Sequence, residues 1–152
     1  VTIVGYASIS MSTNLTHGVQ FGTISTLPVT DANASHNYDG VLSISTMFMN
    51  VSTDSNAAVD FCLKANSDLR DAGGDTLSIN NETYSNSTIT NATYPRVAAQ
   101  IPLTTSYVDA GEAIAVGGTI YYRFWLDVPV AQSIGTYNNT ISVEGVTTGA
   151  SC

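Results

Sequence analysis

Basic residues are nearly absent from this chain: Lys64, Arg70, Arg96 and Arg123 are the only four, against twelve acidic groups, for a net charge of −8. Four scattered cations cannot form the positive stripe that a phosphate backbone requires, and an acidic chain is repelled by anionic lipid. Nucleic acid and membrane surfaces are therefore excluded as natural partners. Val1 to Leu63 contains no Lys or Arg at all, which leaves trypsin-like proteases nothing to cut there.

Histidine is scarce too: His17 and His36 are the only two, each in a polar segment beside an Asn-x-Ser/Thr triplet. No His-x-x-x-His, Gly-x-Ser-x-Gly, Cys-x-x-Cys or phosphate-binding glycine loop occurs. Catalysis would lack its base, its nucleophile and its metal ligands, so the sequence reads as a non-enzyme without a cofactor. Asp68, Asp71 and Asp75 bracket Gly73-Gly74 and could offer oxygen ligands to calcium, although their spacing is not that of an EF-hand loop. Aspartates in turns ordinarily bond their own backbone. The residues alone leave both readings open.

Long apolar runs are also missing. Nothing approaches the roughly twenty apolar residues that span a bilayer, and no basic segment followed by an apolar one opens the chain. The expectation is a mature, secreted form without a membrane span. A type IV pilin would open on a long apolar helix, whereas Val1 to Met11 is short, β-branched and serine-rich, a poor helix former.

What the chain has in abundance is Ser, Thr and Asn. Hydrophobic residues make up 43% but charged ones only 11%, so the polar surface is built from hydroxyls and amides, unlike a typical cytosolic globule. Seven of the twelve asparagines head an Asn-x-Ser/Thr triplet: Asn14, Asn33, Asn50, Asn81, Asn86, Asn91 and Asn138. Chance in so hydroxyl-rich a chain gives about three. Asn81, Asn86 and Asn91 recur every five residues in a polar segment, and Asn138 shares a strand face with Thr136, Thr140, Ser142 and Glu144. From such places a glycan reaches water, and covalent N-glycans at several of the seven sites are expected.

Only two cysteines are present. In Ala58 to Lys64 the apolar Val59, Phe61 and Leu63 alternate with Asp60, Cys62 and Lys64, so Cys62 points away from the core. An outward thiol in a secreted protein usually finds a partner, and the only candidate is Cys152. The expected Cys62–Cys152 bridge would close a loop of about ninety residues and contribute roughly 4 to 5 kcal/mol on chain-entropy grounds. Two free thiols, or an intermolecular link through Cys152, are the alternatives.

At 152 residues the chain fits one domain with a real core. Period-two alternation recurs and helical periodicity does not. Strands are expected at Val1–Met11, Val19–Ile24, Gly40–Val51 (Leu42, Ile44 and Phe48 inward), Ala58–Lys64, near Leu77, within Val97–Leu103, near Ile114, at Ile120–Val128 and at Gly135–Val146. Residues 80 to 96 read as a long decorated loop or a loosely held edge. Seven to nine strands spaced by turns imply an all-β fold, a two-sheet sandwich of immunoglobulin-like or jelly-roll type.

Residues 1–12 form the most unusual segment, an alternating strand without a charged side chain, with Val1, Ile3, Ala7, Ile9 and Met11 on one face. Residues 13–18 read as a hinge and 19–152 as the sandwich domain. Such a strand can pair at home or complete the sheet of a neighbour. Four buried side chains at roughly 1.5 to 3 kcal/mol each, plus about ten ladder bonds near 1 kcal/mol each, can exceed a docking cost of roughly 4 to 15 kcal/mol. Repeated head to tail, that contact gives an open filament.

This opening strand, together with Gly18–Ile24, Val59–Asn66 and the late run from Val128-Pro129 through Gly135-Thr136-Tyr137 to Thr140–Val143, resembles archaeal extracellular fibre subunits. These are the donor-strand threads and bundling pili related to TasA-type biofilm fibres. The resemblance implies a glycosylated homopolymer at the cell surface, serving adhesion or biofilm, whose N-terminal strand inserts into the next molecule. The alternative is a secreted carbohydrate-binding or adhesive module that presents Trp125 and Tyr121 as a stacking platform, unless a loop or neighbouring subunit covers them.

Overall fold

The computed structural model describes residues 1–152 as an all-β sandwich. Its strands are β1 (Ile9–Met11), β2 (Val29–Asn33), β3 (Met47–Val51), β4 (Val59–Ala65), β5 (Leu69–Arg70), β6 (Thr76–Leu77), β7 (Glu82–Ser87), β8 (Ile101–Pro102), β9 (Val108–Asp109), β10 (Thr119–Val128) and β11 (Ile141–Thr147). Helix is confined to α1 (Thr13–Thr16) and two 3-10 turns. One sheet runs β1-β3-β10-β7-β8 with β2 also on β10, the second runs β11-β4-β9, and β5-β6 is a small hairpin.

Strand β10 organises the larger sheet. Ile120, Tyr122, Phe124, Leu126 and Val128 alternate along it as the sequence predicts, and all are buried. Ile120, Tyr122 and Phe124 pack with Val59, Phe61, Leu63 and Ala65 of β4 in a main cluster of sixteen buried residues. Tyr84, Tyr122 and Phe124 stack within it, their centroids 6.3 to 6.5 Å apart, at the separations aromatic pairs prefer.

The expected bridge is present: Cys62 and Cys152 are bonded, with Cα atoms 5.8 Å apart. Cys62 does lie on the outer side of β4, but it is fully buried because the last residues fold back over it. Asp60 fixes that tail. Its carboxylate accepts Ala113 N–H at 2.6 Å, Thr148 Oγ1 at 3.0 Å and Gly149 N–H at 3.0 Å. Those backbone bonds, to Ala113 first and then Gly149, hold the Asp60 carboxyl below its ordinary value against the opposing effect of burial.

Four expectations need correction. Strand β3 has the opposite register: Met47, Met49 and Val51 are buried, while Phe48 lies on the outer face, edge-on to Tyr121 at 5.8 Å. Leu42 is exposed and Ile44 only half-buried, because the Asp39 carboxylate collects the N–H groups of Val41, Leu42 and Ile44 and bends that stretch into a turn.

Residues 82–87 are not a loose edge but strand β7, paired with β10 over six positions. The region near Val19–Ile24 makes no ladder at all, and the strand on that side is Val29–Asn33. The expected hinge begins with α1, capped by Ser12 Oγ accepting Leu15 N–H at 3.3 Å, an N-cap Ser in its usual role.

Candidate assembly surfaces: an exposed apolar segment and an apolar cleft

At the end of the sandwich where β10 begins, the chain's first residues stand outside the core. Ile9–Met11 pair with Met49–Val51, and the Ile9 side chain reaches the seam by Gly145 and Val59. Further out the segment is held by the 52–56 loop: Ser8 C=O accepts Ser52 N–H at 2.8 Å, and Tyr6 C=O accepts Asn56 N–H at 2.9 Å. Beyond that, Val1 to Ile3 make no hydrogen bond, and Ile3 and Val4 are 83% and 76% exposed. Of the five side chains expected to line one face, Ile9 and Met11 are partly docked at home, while Val1, Ile3 and Ala7 are exposed.

At the end where β10 finishes, roughly 30 Å away at about 3.3 Å per residue, the sandwich is open. A cleft of about 670 Å³ lies there. Its floor is a second cluster of four buried residues, Leu69, Leu77, Leu126 and Val128. Phe21, Ile24 and Leu27 line one wall, Ile134 and Tyr137 the other.

Neither wall belongs to a strand: residues 21–27 and 133–137 run as irregular chain, with bends at residues 26–28 and 134–135. No main-chain N–H from Phe21 to Leu27, nor from Ser133 to Tyr137, donates a hydrogen bond within the protein. Both segments are largely exposed, so these N–H groups face solvent and are open to pairing with another strand. Both walls coincide with sequence-predicted strands, Val19–Ile24 and the first half of Gly135–Val146.

Glu82 is the only Asp, Glu, Lys, Arg or His lining this cleft, and it is 2% exposed. Its Oε2 accepts Asn139 Nδ2–H at 2.8 Å. Burial pushes its carboxyl above the ordinary glutamate range, opposed in part by that bond.

The outer face of β10 is sealed, in contrast. Trp125 is 2% exposed and Arg123 1% exposed. The Arg123 guanidinium donates to the carbonyls of Asn37, Pro95 and Ser43, each at 2.9 Å, and of Asn91 at 2.7 Å, and it stacks on Tyr38 at 4.1 Å. This one side chain ties two covering loops to the sheet, so a sugar cannot reach Trp125, and Tyr121 is occupied by Phe48.

The Asn-x-Ser/Thr sites divide by environment. Asn33, Asn91 and Asn138 are exposed, while Asn14, Asn50, Asn81 and Asn86 are half-buried. Asn91 Oδ1 accepts the N–H groups of Thr93 and Tyr94 at 2.8 and 3.0 Å, which leaves its Nδ2, the atom a glycan would occupy, without a hydrogen bond to the protein. Asn14 Nδ2 instead donates to Thr46 Oγ1 at 2.9 Å, and Asn50 Oδ1 is buried without a partner.

The three aspartates considered for calcium bond protein groups. Asp68 Oδ1 accepts Ile79 N–H and Asp71 Oδ1 accepts Asp75 N–H, and no group of three His, Cys, Asp or Glu side chains converges as a metal site would. No helix is long and apolar enough to cross a membrane.

No known protein family, curated protein or solved structure matches this chain.

Proposed function

We propose that this protein is a structural subunit of an N-glycosylated extracellular filament, pilus- or thread-like, that polymerises head to tail by donor-strand complementation and serves adhesion or biofilm. The reading rests chiefly on the complementarity of the two ends: an uncharged extended segment leaves one, and an apolar cleft walled by two unpaired segments opens at the other.

A strand laid between residues 21–27 and 133–137 would satisfy both rows of main-chain groups. The side chains of Val1, Ile3 and Ala7, which share one face of that strand, would cover the floor around Leu126, with burial worth roughly 1.5 to 3 kcal/mol for each well-buried aliphatic. Because donor and acceptor are at opposite ends, the contact does not close on itself, and repetition gives a fibre. An intramolecular disulfide that fixes the tail, together with exposed Asn91, Asn33 and Asn138, suits a secreted, sugar-bearing surface protein.

Deleting residues 1–8, which leaves β1 and the Ser12 cap of α1 in place, tests the reading. The shortened protein should keep its β-rich circular dichroism but no longer polymerise, and a peptide of residues 1–8 should bind it. Undiminished polymerisation after the deletion would overturn the proposal.

A further inference from the structure

Glu82 is out of place in an ordinary sandwich. It shares the inward face of β7 with the core residue Tyr84, two positions on, where an apolar side chain is the norm. No Lys, Arg or His lines the cleft to neutralise it, and a buried carboxylate without a cation is a costly feature. One side-chain bond, from Asn139, is all it receives, which leaves its second oxygen free.

Resting on the assembly reading above, we infer that Glu82 is the polar anchor of the strand-accepting cleft: its carboxyl bonds the main chain of the inserted segment as the neutral acid, so that each contact takes up one proton.

The physical basis is solvation. While the cleft is open, water on its free side supports the ionised form. An inserted strand displaces that water, and the further loss of solvation favours the neutral form. The proton comes from solvent: the new O–H donates to a main-chain carbonyl of the incoming strand, while Oε2 keeps the bond from Asn139. Residues 1–12 bring no charged side chain that would hold the carboxylate ionised.

The neighbouring ionisable groups offer no substitute. Tyr137 is in the cleft wall. Asp68, on the turn below, is bonded to Ile79 N–H, Asp71, whose carboxylate lies against Gly135 of the wall, is bonded to Asp75 N–H, and Asp127 accepts Asp31 N–H at 2.7 Å. Arg70 of β5 is exposed and pairs with Asn138 through its backbone alone.

The sign follows from linkage. If the carboxyl binds its proton more tightly in the assembled state than in the free subunit, assembly takes up protons in the window between the two values. Affinity is highest below that window and falls as pH rises through it, by up to about tenfold per pH unit.

The test follows polymer formation by sedimentation between about pH 4 and 8 for the wild-type chain and for Glu82→Gln, with proton uptake on wild-type assembly recorded alongside. The wild type should need progressively more protein to assemble as pH rises, and should take up protons when it does. Glu82→Gln, a neutral isostere that still accepts from Asn139, should assemble with little pH dependence. Wild-type assembly without proton uptake, or an unchanged pH slope in Glu82→Gln, overturns this inference and leaves the assembly reading standing. Failure of the wild type to assemble at any pH overturns both.

Discussion

Where β10 begins, the sandwich closes on itself: sixteen buried residues fill the main cluster, and β3, β4 and their loops pair in continuous ladders. Where β10 finishes, only four buried residues form the floor, and two irregular segments face each other across about 670 Å³ without sharing a hydrogen bond. The two ends are made of the same residue types. What separates them is the size of the buried cluster and the lack of a ladder between the cleft walls, and the uncharged, alternating segment of residues 1–8 leaves from the opposite end. On the proposed assembly, the open end of one copy receives the free segment of the next.

The sealed part of the molecule should respond to mutation through stability. Arg123→Ala removes the side chain that satisfies four loop carbonyls. Two of these acceptors, the carbonyls of Asn37 and Pro95, are buried, and at about 1 to 3 kcal/mol for each acceptor left buried and unpaired a loss of at least about 2 kcal/mol is expected. Urea unfolding measures it, and a loss under about 1 kcal/mol would show that the loops do not depend on this anchor.

The open end should respond through assembly. Ile134 is fully exposed on the cleft wall, so Ile134→Asp should change stability by no more than about 0.5 kcal/mol. Filament assembly should nonetheless weaken about tenfold or more, because an inserted apolar strand would meet a carboxylate. Equal loss of stability and assembly would erase the distinction between the two ends.

The sequence disclosed most of the frame. Alternation in Ile120–Val128 and Val59–Leu63 located the two central strands and their inward faces, and the outward position of Cys62 led to its bond with Cys152. The misreadings have physical causes. In Met47–Val51 both faces carry large apolar side chains, so period-two counting is ambiguous. The deciding signal was there: Asn50 lies on the face of Phe48, and Val51 on that of Met47 and Met49.

Glu82–Ser87 reads as solvent-exposed because it is polar, yet its outer face is covered by loops that Arg123 holds, a tertiary contact no local pattern announces. The composition of Val19–Ile24 and Gly135–Tyr137 called for strands, and the folded monomer leaves both unpaired. On the proposed assembly, the strand that pairs them comes from a second copy. The cleft's boundaries were thus visible in the sequence, but its emptiness and the buried Glu82 beneath it were not.

Amide hydrogen exchange on unassembled and assembled protein tests the central claim most directly. In the free subunit the N–H groups of residues 21–27 and 133–137 should exchange rapidly, and on assembly those two segments and residues 1–8 should become protected together. Protection appearing elsewhere, for instance only over the exposed loop around Val41 and Leu42, with the cleft walls unchanged, would contradict the account.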